Sequence, residues 1–192
     1  MKNKYKIFPI LIMMSLFSSS LFGNEIVTLK SSETEIKNNT GAIFLPKINS
    51  FTRSDIVEIK DNPIKYSITY GSRKLNTLIV SQLISKKLIG TDDLKSIIRG
   101  LIKGKEKRNN GVKVHQSGGK TLNVGGRSSQ GIFAYISFKR RGKEFDNLLS
   151  IYPWDDNYFI AISSTFPFVN NKKNIENIIS KTDSYISTIG RK

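Results

Sequence analysis

Between Val112 and Pro167 the hydrophobic period is two, and this constrains the fold more than any other feature of the chain. VKVHQ, KTLNV, GIFAYISFKRR, EFDNLLSIY and YFIAISSTFP alternate or run apolar, as strands do when one or both faces are covered. Arg140-Arg141-Gly142-Lys143 forms a tight connection between two of these runs. Pro153-Trp154-Asp155-Asp156-Asn157 has turn composition between two more. Upstream, Phe51–Ile59 and Lys65–Tyr70 alternate, and GAIFLP suggests a short strand closed by Pro46. Gly71–Lys74 is turn-like, and Asn76–Ile84 is apolar enough to be covered on both sides. Antiparallel sheet is the expected body of the protein.

Two segments break that period. Leu94, Ile97, Ile98, Leu101 and Ile102 fall on one stripe of a helix, with Thr91 as the expected N-cap and Asp92-Asp93 in its first turn. Ile175, Ile178, Ile179, Thr182, Ile186 and Ile189 mark a second amphipathic helix over 171–189, with Gly190 placed for a C-cap. The expected fold class is α+β: an antiparallel β-sheet with two amphipathic helices packed on it. GGKTLNVGG, residues 118–126, is followed by β-like sequence rather than a helix. It therefore reads as turns or a bulge and not as a phosphate-cradling loop.

The N-terminus has the layout of a secretory signal peptide over residues 1–23. Lys2, Lys4 and Lys6 precede the apolar run Ile7–Phe17, and cleavage is expected after Ser20 or Gly23. The apolar run is short of the roughly 20 residues a spanning helix needs, and no transmembrane span is expected after cleavage. Residues 24–41 are polar and read as a flexible N-terminal arm, and 42–192 as a single domain. The expected location is periplasmic or secreted. With no cysteine there is no disulfide framework, so packing must hold the domain together, and thiolate chemistry is excluded.

The chain carries 31 Lys+Arg against 15 Asp+Glu, a formal +16 that becomes +13 without the three signal-peptide lysines. Such a charge draws anionic surfaces. The plainer alternative is that lysine-rich, asparagine-rich coding leaves solvated surface charge with no role. The densest basic clusters are KGKEKR and KRRGK, which supply Lys103, Lys105, Lys107 and Arg108, and Lys139, Arg140, Arg141 and Lys143. Brought to one face, they would form an anion-binding patch. Left apart, they are a solvated helix end and hairpin tip. Trp154, the only tryptophan, either packs over the end of the core or is an exposed aromatic contact. His115, the only histidine, lacks any partner that spacing identifies, and no metal or cofactor site is expected. Asp155-Asp156 reads as the reversal between two strands.

The pieces IKYSITYGSRKLNTLIVSQLI, TDDLKSIIRGLI, LNVGGRSSQGIFAYISF and LLSIYPWDDNYFIAISSTFP occur in an order that resembles exported bacterial proteins of the PsbP/DcrB-like fold class, over about residues 51–189. That resemblance implies an α/β/α sandwich and a non-enzymatic envelope protein, with no catalytic residues to carry over. The expected function is non-catalytic binding of an envelope protein or an anionic lipid or polysaccharide surface. Nucleic acid is not an expected partner for an exported chain, and oligomeric state is left open. The alternatives are a hydrolase of envelope polymers using Glu144, Asp146, Asp155 or Asp156, and a virulence or immunity factor acting by protein contact.

Overall fold

A computed structural model describes residues 26–29, 36–37, 42–59, 64–168 and 172–191. The signal-peptide reading over 1–23 lies outside the described residues. In chain order the strands are β1 (Ile26–Leu29), β2 (Ile36–Lys37), β3 (Ala42–Phe44), β4 (Lys47–Ile48), β5 (Phe51–Ile59), β6 (Ile64–Ser72) and β7 (Thr77–Ser85). Helices α1 (Lys86–Ile89) and α2 (Leu94–Glu106) follow. Then come β8 (Asn110–Val124), β9 (Arg127–Arg140), β10 (Lys143–Pro153), β11 (Tyr158–Pro167), helix α3 (Lys172–Thr188) and β12 (Gly190–Arg191).

The main sheet runs β1-β5-β6-β7-β11-β10-β9-β8, with β4 paired to β5 beside that path, and its pairings are antiparallel. A small second sheet has the order β12-β3-β2. The two-residue turns of this sheet are built as their sequences require. Arg141 (φ 51°) with Gly142 (φ 75°), and Gly125 (φ 59°) with Gly126 (φ 77°), place both central residues in the left-handed region. That geometry matches the twist of the strands it joins.

The core lies on both faces of the central strands. Ile160 and Ile162 of β11 enter one apolar cluster, with Tyr70, Tyr152, Trp154, Tyr185, Ile186 and Ile189. Phe159 and Ala161 of the same strand enter the other, with Ile98, Leu101, Ala134, Ile136, Leu149 and Ile151. This is why β10 and β11 read as near-continuous apolar runs rather than alternating ones.

The expected two-helix α/β/α sandwich of the PsbP class is corrected. The molecule is mainly antiparallel sheet, and the helices are small pads. α2 has 13 residues and reaches the sheet with Ile98 and Leu101, and α3 has 17. Neither forms a layer to match a sheet eight strands across. The periodicity identified helical stripes correctly but says nothing of how much sheet each helix covers. The broad α+β description fits the element content.

Local readings also shift. VKVHQ and KTLNV belong to one strand, β8, which passes straight through Gly118-Gly119. Two described pieces of 24–41, read as a loose arm, are strands: β1 pairs with β5, and β2 with β3. The N-cap of α2 is Asp93 and not Thr91. Asp93 accepts the Lys95 and Ser96 N–H groups at 3.0 and 3.1 Å, while Thr91 Oγ1 accepts the Asp93 N–H. These bonds hold the Asp93 carboxyl below its usual range, the Ser96 hydroxyl contributing most. Gly190 lies in β12 opposite Ile43 rather than serving only to end the helix.

Candidate anion-binding site

The basic clusters, over thirty residues apart in sequence, meet at one place. Period-two alternation along β9 puts Phe138 and Arg140 on the side of Ala134 and Ile136, the side that α2 covers. Lys105, in the last turn of α2, sets its ammonium 5.4 Å from the centre of the Phe138 ring. Phe138 is stacked on Phe145, with centroids 5.7 Å apart, which fixes the platform beneath the lysine. Burial, then Arg108, then Arg140 push the Lys105 ammonium down to about 8. Burial and Arg140 likewise lower Arg108. Lys143 stands opposite Arg140 in the ladder at the hairpin tip.

Only part of the expected patch takes part. Lys103 and Lys107 are exposed and two residues to either side of Lys105, so they project away from it on the helix. Lys139 alternates to the other side of β9 and is bridged to Glu144 at 3.0 Å. Arg141 occupies the turn with its side chain exposed. Arg108 has a structural task as well. Its Nε donates to the Gly104 carbonyl at 2.8 Å, and Asn109 Nδ2 donates to the Lys105 carbonyl at 2.9 Å. The first satisfies the Gly104 carbonyl at the helix end, and the second adds to the Arg108 and Asn109 N–H groups that the Lys105 carbonyl already accepts. Among the described residues, no carboxylate bridges Lys105 or Arg140. The result is a half-buried cationic cluster of Lys105, Arg108 and Arg140, with Lys143 at its margin.

The Lys105 shift has a defined sign for stability. Below pH 8 this lysine is charged in both folded and unfolded chains, and the fold bears the burden of its desolvation and its two cationic neighbours. Between about 8 and the ordinary 10.5 the unfolded chain binds the extra proton, so this group makes stability rise with pH across that window.

The other candidate residues divide differently. Trp154 is 5% exposed and sits in the core cluster with Tyr152 and Ile160, so the exposed-contact reading is corrected in favour of packing. The residues after it form the turn. Asp155 Oδ1 accepts the N–H groups of Asn157 and Tyr158, each at 2.8 Å, while the Trp154 N–H donates to the Tyr158 carbonyl at 3.0 Å. Asp156 is exposed. Asp155 and Asp156 therefore stand beyond one end of β10, whereas Glu144 and Asp146 lie near the other, and the four acids do not converge.

His115 has its partner on the neighbouring strand, β9. His115 Nε2 and Ser137 Oγ share a hydrogen bond of 2.7 Å. His115 is the extra residue of a bulge in β8, between Val114 opposite Ile136 and Gln116 opposite Tyr135, which turns its ring toward Ser137. The fully buried Asp146 is opposite Ser137, but its carboxylate takes the Tyr135 hydroxyl. Burial and that carboxylate push the Tyr135 hydroxyl well above its usual range. A nucleophilic triad requires the carboxylate on the histidine, and here it is engaged by tyrosine. No group of three or more His, Cys, Asp or Glu suited to a metal ion occurs among the described residues. Likewise, no helix among them is long and apolar enough to cross a membrane.

No family model matches the chain, and no curated protein matches it. Among solved structures it is similar to PA94 of Pseudomonas aeruginosa, a protein of unknown function. That match has 10% identity over 83% of this chain and 96% of the other, with a TM-score of 0.44. It is also similar to LpqN of Mycobacterium tuberculosis, which is involved in cell envelope biogenesis. There the identity is 15% over 86% of this chain and 90% of the other, with a TM-score of 0.44. Likeness at this level lends no support to any particular activity.

Proposed function

We propose that the protein is a non-catalytic binding protein of the bacterial cell envelope, attaching to an anionic envelope component through its basic surface. The observation that carries this reading is the seating of the Lys105 ammonium of α2 over the Phe138 ring of β9, on the strand face that also carries Arg140, with no carboxylate bridging Lys105 or Arg140 among the described residues. A protein that needed these charges only for solubility would leave them on long, solvated side chains. Burying part of such a cluster costs stability unless a counter-charge arrives. The export signal read at the N-terminus supplies the compartment in this reading, and the +13 left without the three signal-peptide lysines supplies long-range attraction to the surface.

Sedimentation with vesicles containing phosphatidylglycerol tests it. Binding is expected at about 50 mM salt and should fall by tenfold or more near 500 mM, because counterions screen charges beyond roughly a Debye length. Absence of binding at low salt, to these vesicles and to lipopolysaccharide alike, would refute the reading.

A further inference from the structure

We propose that the outer edge of β8 between Ser117 and Asn123 is a docking site for an extended acidic segment of a partner protein, which joins the main sheet as a further strand. This goes beyond the anionic-surface reading and does not depend on it. Hydrogen-bond alternation along the β8–β9 hairpin defines the open groups. The Gly125-Gly126 turn closes on Val124 and Arg127, which exchange backbone hydrogen bonds in a two-residue turn of this kind. From there the register runs unbroken to Gln116 opposite Tyr135. Bonding to β9 therefore falls on Val124, Leu122, Lys120, Gly118 and Gln116, and the N–H and C=O groups of Ser117, Gly119, Thr121 and Asn123 point the other way. The turn at the far end of β9 gives the same answer. Arg141-Gly142 closes on Arg140 and Lys143, so the even-numbered residues of β9 bond to β10, and its odd-numbered residues from Arg127 to Tyr135 bond to β8.

β8 is the last strand of the sheet, and among the described residues no strand pairs with its outer side. Ser117, Gly119, Thr121 and Asn123 are all exposed. Edge strands are usually blunted by shortness, proline, bulges or charge. The opposite edge, β1, has only 4 residues. β8 has 15 and no proline, and its bulges fall before Gln116. Lys120, the one charge between Ser117 and Asn123, is turned to α3 and bridged to Asp183. The Gly125 N–H donates to the Ile189 carbonyl at 3.1 Å, which ties the hairpin tip to the chain just past α3. The open edge is straight and already held in place, so a partner strand has less ordering to oppose it.

Charge selects the occupant. No Asp or Glu occurs between Glu106 and Glu144, so the only charges on β8 and β9 are cationic. Exposed Lys113 and Arg127 flank the open stretch, and neither is in an ion pair among the described residues. A second copy of this chain is the competing occupant. In a two-fold antiparallel pairing, the one register that engages all four open residues sets Lys120 directly against Lys120 of the second copy. Like charges so placed are destabilising, and both chains carry a large positive excess.

The experiment follows amide hydrogen exchange by NMR in the nitrogen-labelled full chain at low salt. The probe is a capped peptide of alternating Thr and Glu, about nine residues long. At roughly ten times its Kd, exchange at Ser117, Gly119, Thr121 and Asn123 is expected to slow by about tenfold, since only the unbound fraction exchanges. These residues should stand out against Gly118, Lys120 and Leu122, whose N–H groups are bonded to β9 throughout. The peptide with Lys for Glu should cause no slowing. Nor should the Glu peptide methylated at every peptide nitrogen, which keeps its charge but has no N–H to donate. Thr121→Pro removes an outward N–H at an edge, where proline is tolerated, and should abolish the effect with an unchanged circular dichroism spectrum. If that variant does not fold, the methylated peptide still decides. No slowing with the Glu peptide, or slowing with the Lys or methylated peptide or in folded Thr121→Pro, overturns the proposal. Slowing without peptide that grows with protein concentration, together with a dimer in sedimentation, overturns it in favour of self-pairing.

Discussion

Trp154→Ala is expected to destabilise the folded protein by about 3–5 kcal/mol, among the largest effects of any single truncation in this chain. The indole is 5% exposed and shares its apolar cluster with Tyr152, Tyr158 and Ile160. Replacing it by a methyl group loses the transfer energy of a large aromatic side chain and leaves a cavity. The backbone around it cannot collapse into that space. Its N–H is bonded to the Tyr158 carbonyl, and the next residue's carboxylate fixes two further N–H groups of the turn. Urea unfolding of the purified variant measures the change. A native-like midpoint would mean that Trp154 is not packed as described. Total stabilities of small domains are about 5–15 kcal/mol, so partial unfolding at 37 °C is a realistic result for this variant.

Gly131→Ala is the second large effect, expected at about 3 kcal/mol, through overpacking rather than a cavity. Gly131 lies in the middle of β9, and a Cβ there would overlap the ring of Tyr152 and the carbonyl oxygen of Ile151 well inside van der Waals contact. The ring could swing aside only by leaving a fully buried position. The carbonyl belongs to β10, whose Ile151 is paired with Ile132, so the β9–β10 ladder itself would have to spread. Gly119, opposite Ile132 in the β8–β9 pairing, has no such crowding, and Gly119→Ala serves as the control with a small effect. Equal effects of the two substitutions in thermal unfolding would contradict the close approach at Gly131.

These two residues show where the sequence was informative and where it was not. Alternation in GIFAYISFKRR located all of β9 but its first four residues, and the apolar run YFIAISSTFP located β11 to the residue, because a side chain that must choose a face, or is covered on both, marks the sequence. The turn at Arg141-Gly142 was equally legible, since few residues accept the left-handed region. Gly118-Gly119, by contrast, looked like punctuation but sits within a continuous strand. The Phe133 ring lies against the position where Gly118 lacks a side chain, a partner that local sequence does not reveal. The same limit hid Tyr185. It is fully buried with its hydroxyl 2.6 Å from Ser81 Oγ, a bond spanning 104 positions of sequence.

The candidate site was half legible for a related reason. All of its cations were visible as two dense runs, but their joint placement depends on β9 returning beside the end of α2. Helical spacing and strand alternation then decide which charges gather. They select Lys105, Arg108 and Arg140, send Lys139 to Glu144, and leave Lys103 and Lys107 in solvent. Composition alone could not make that selection, and it equally could not say that Trp154 faces inward.

The most direct test of the central claim asks whether place, rather than total charge, governs anion binding. Arg140→Glu and Lys74→Glu change the net charge by the same amount, but Lys74 is exposed in the turn between β6 and β7, and β11 and β10 lie between β7 and β9 in the sheet. In sedimentation with phosphatidylglycerol vesicles at low salt, Arg140→Glu is expected to weaken binding by about 10- to 30-fold, taking roughly 1 kcal/mol per unit charge near an anionic surface. Lys74→Glu should change it by no more than about threefold. Equal losses for the two variants would show that the surface acts by its overall charge and would contradict a localised site at Lys105, Arg108 and Arg140.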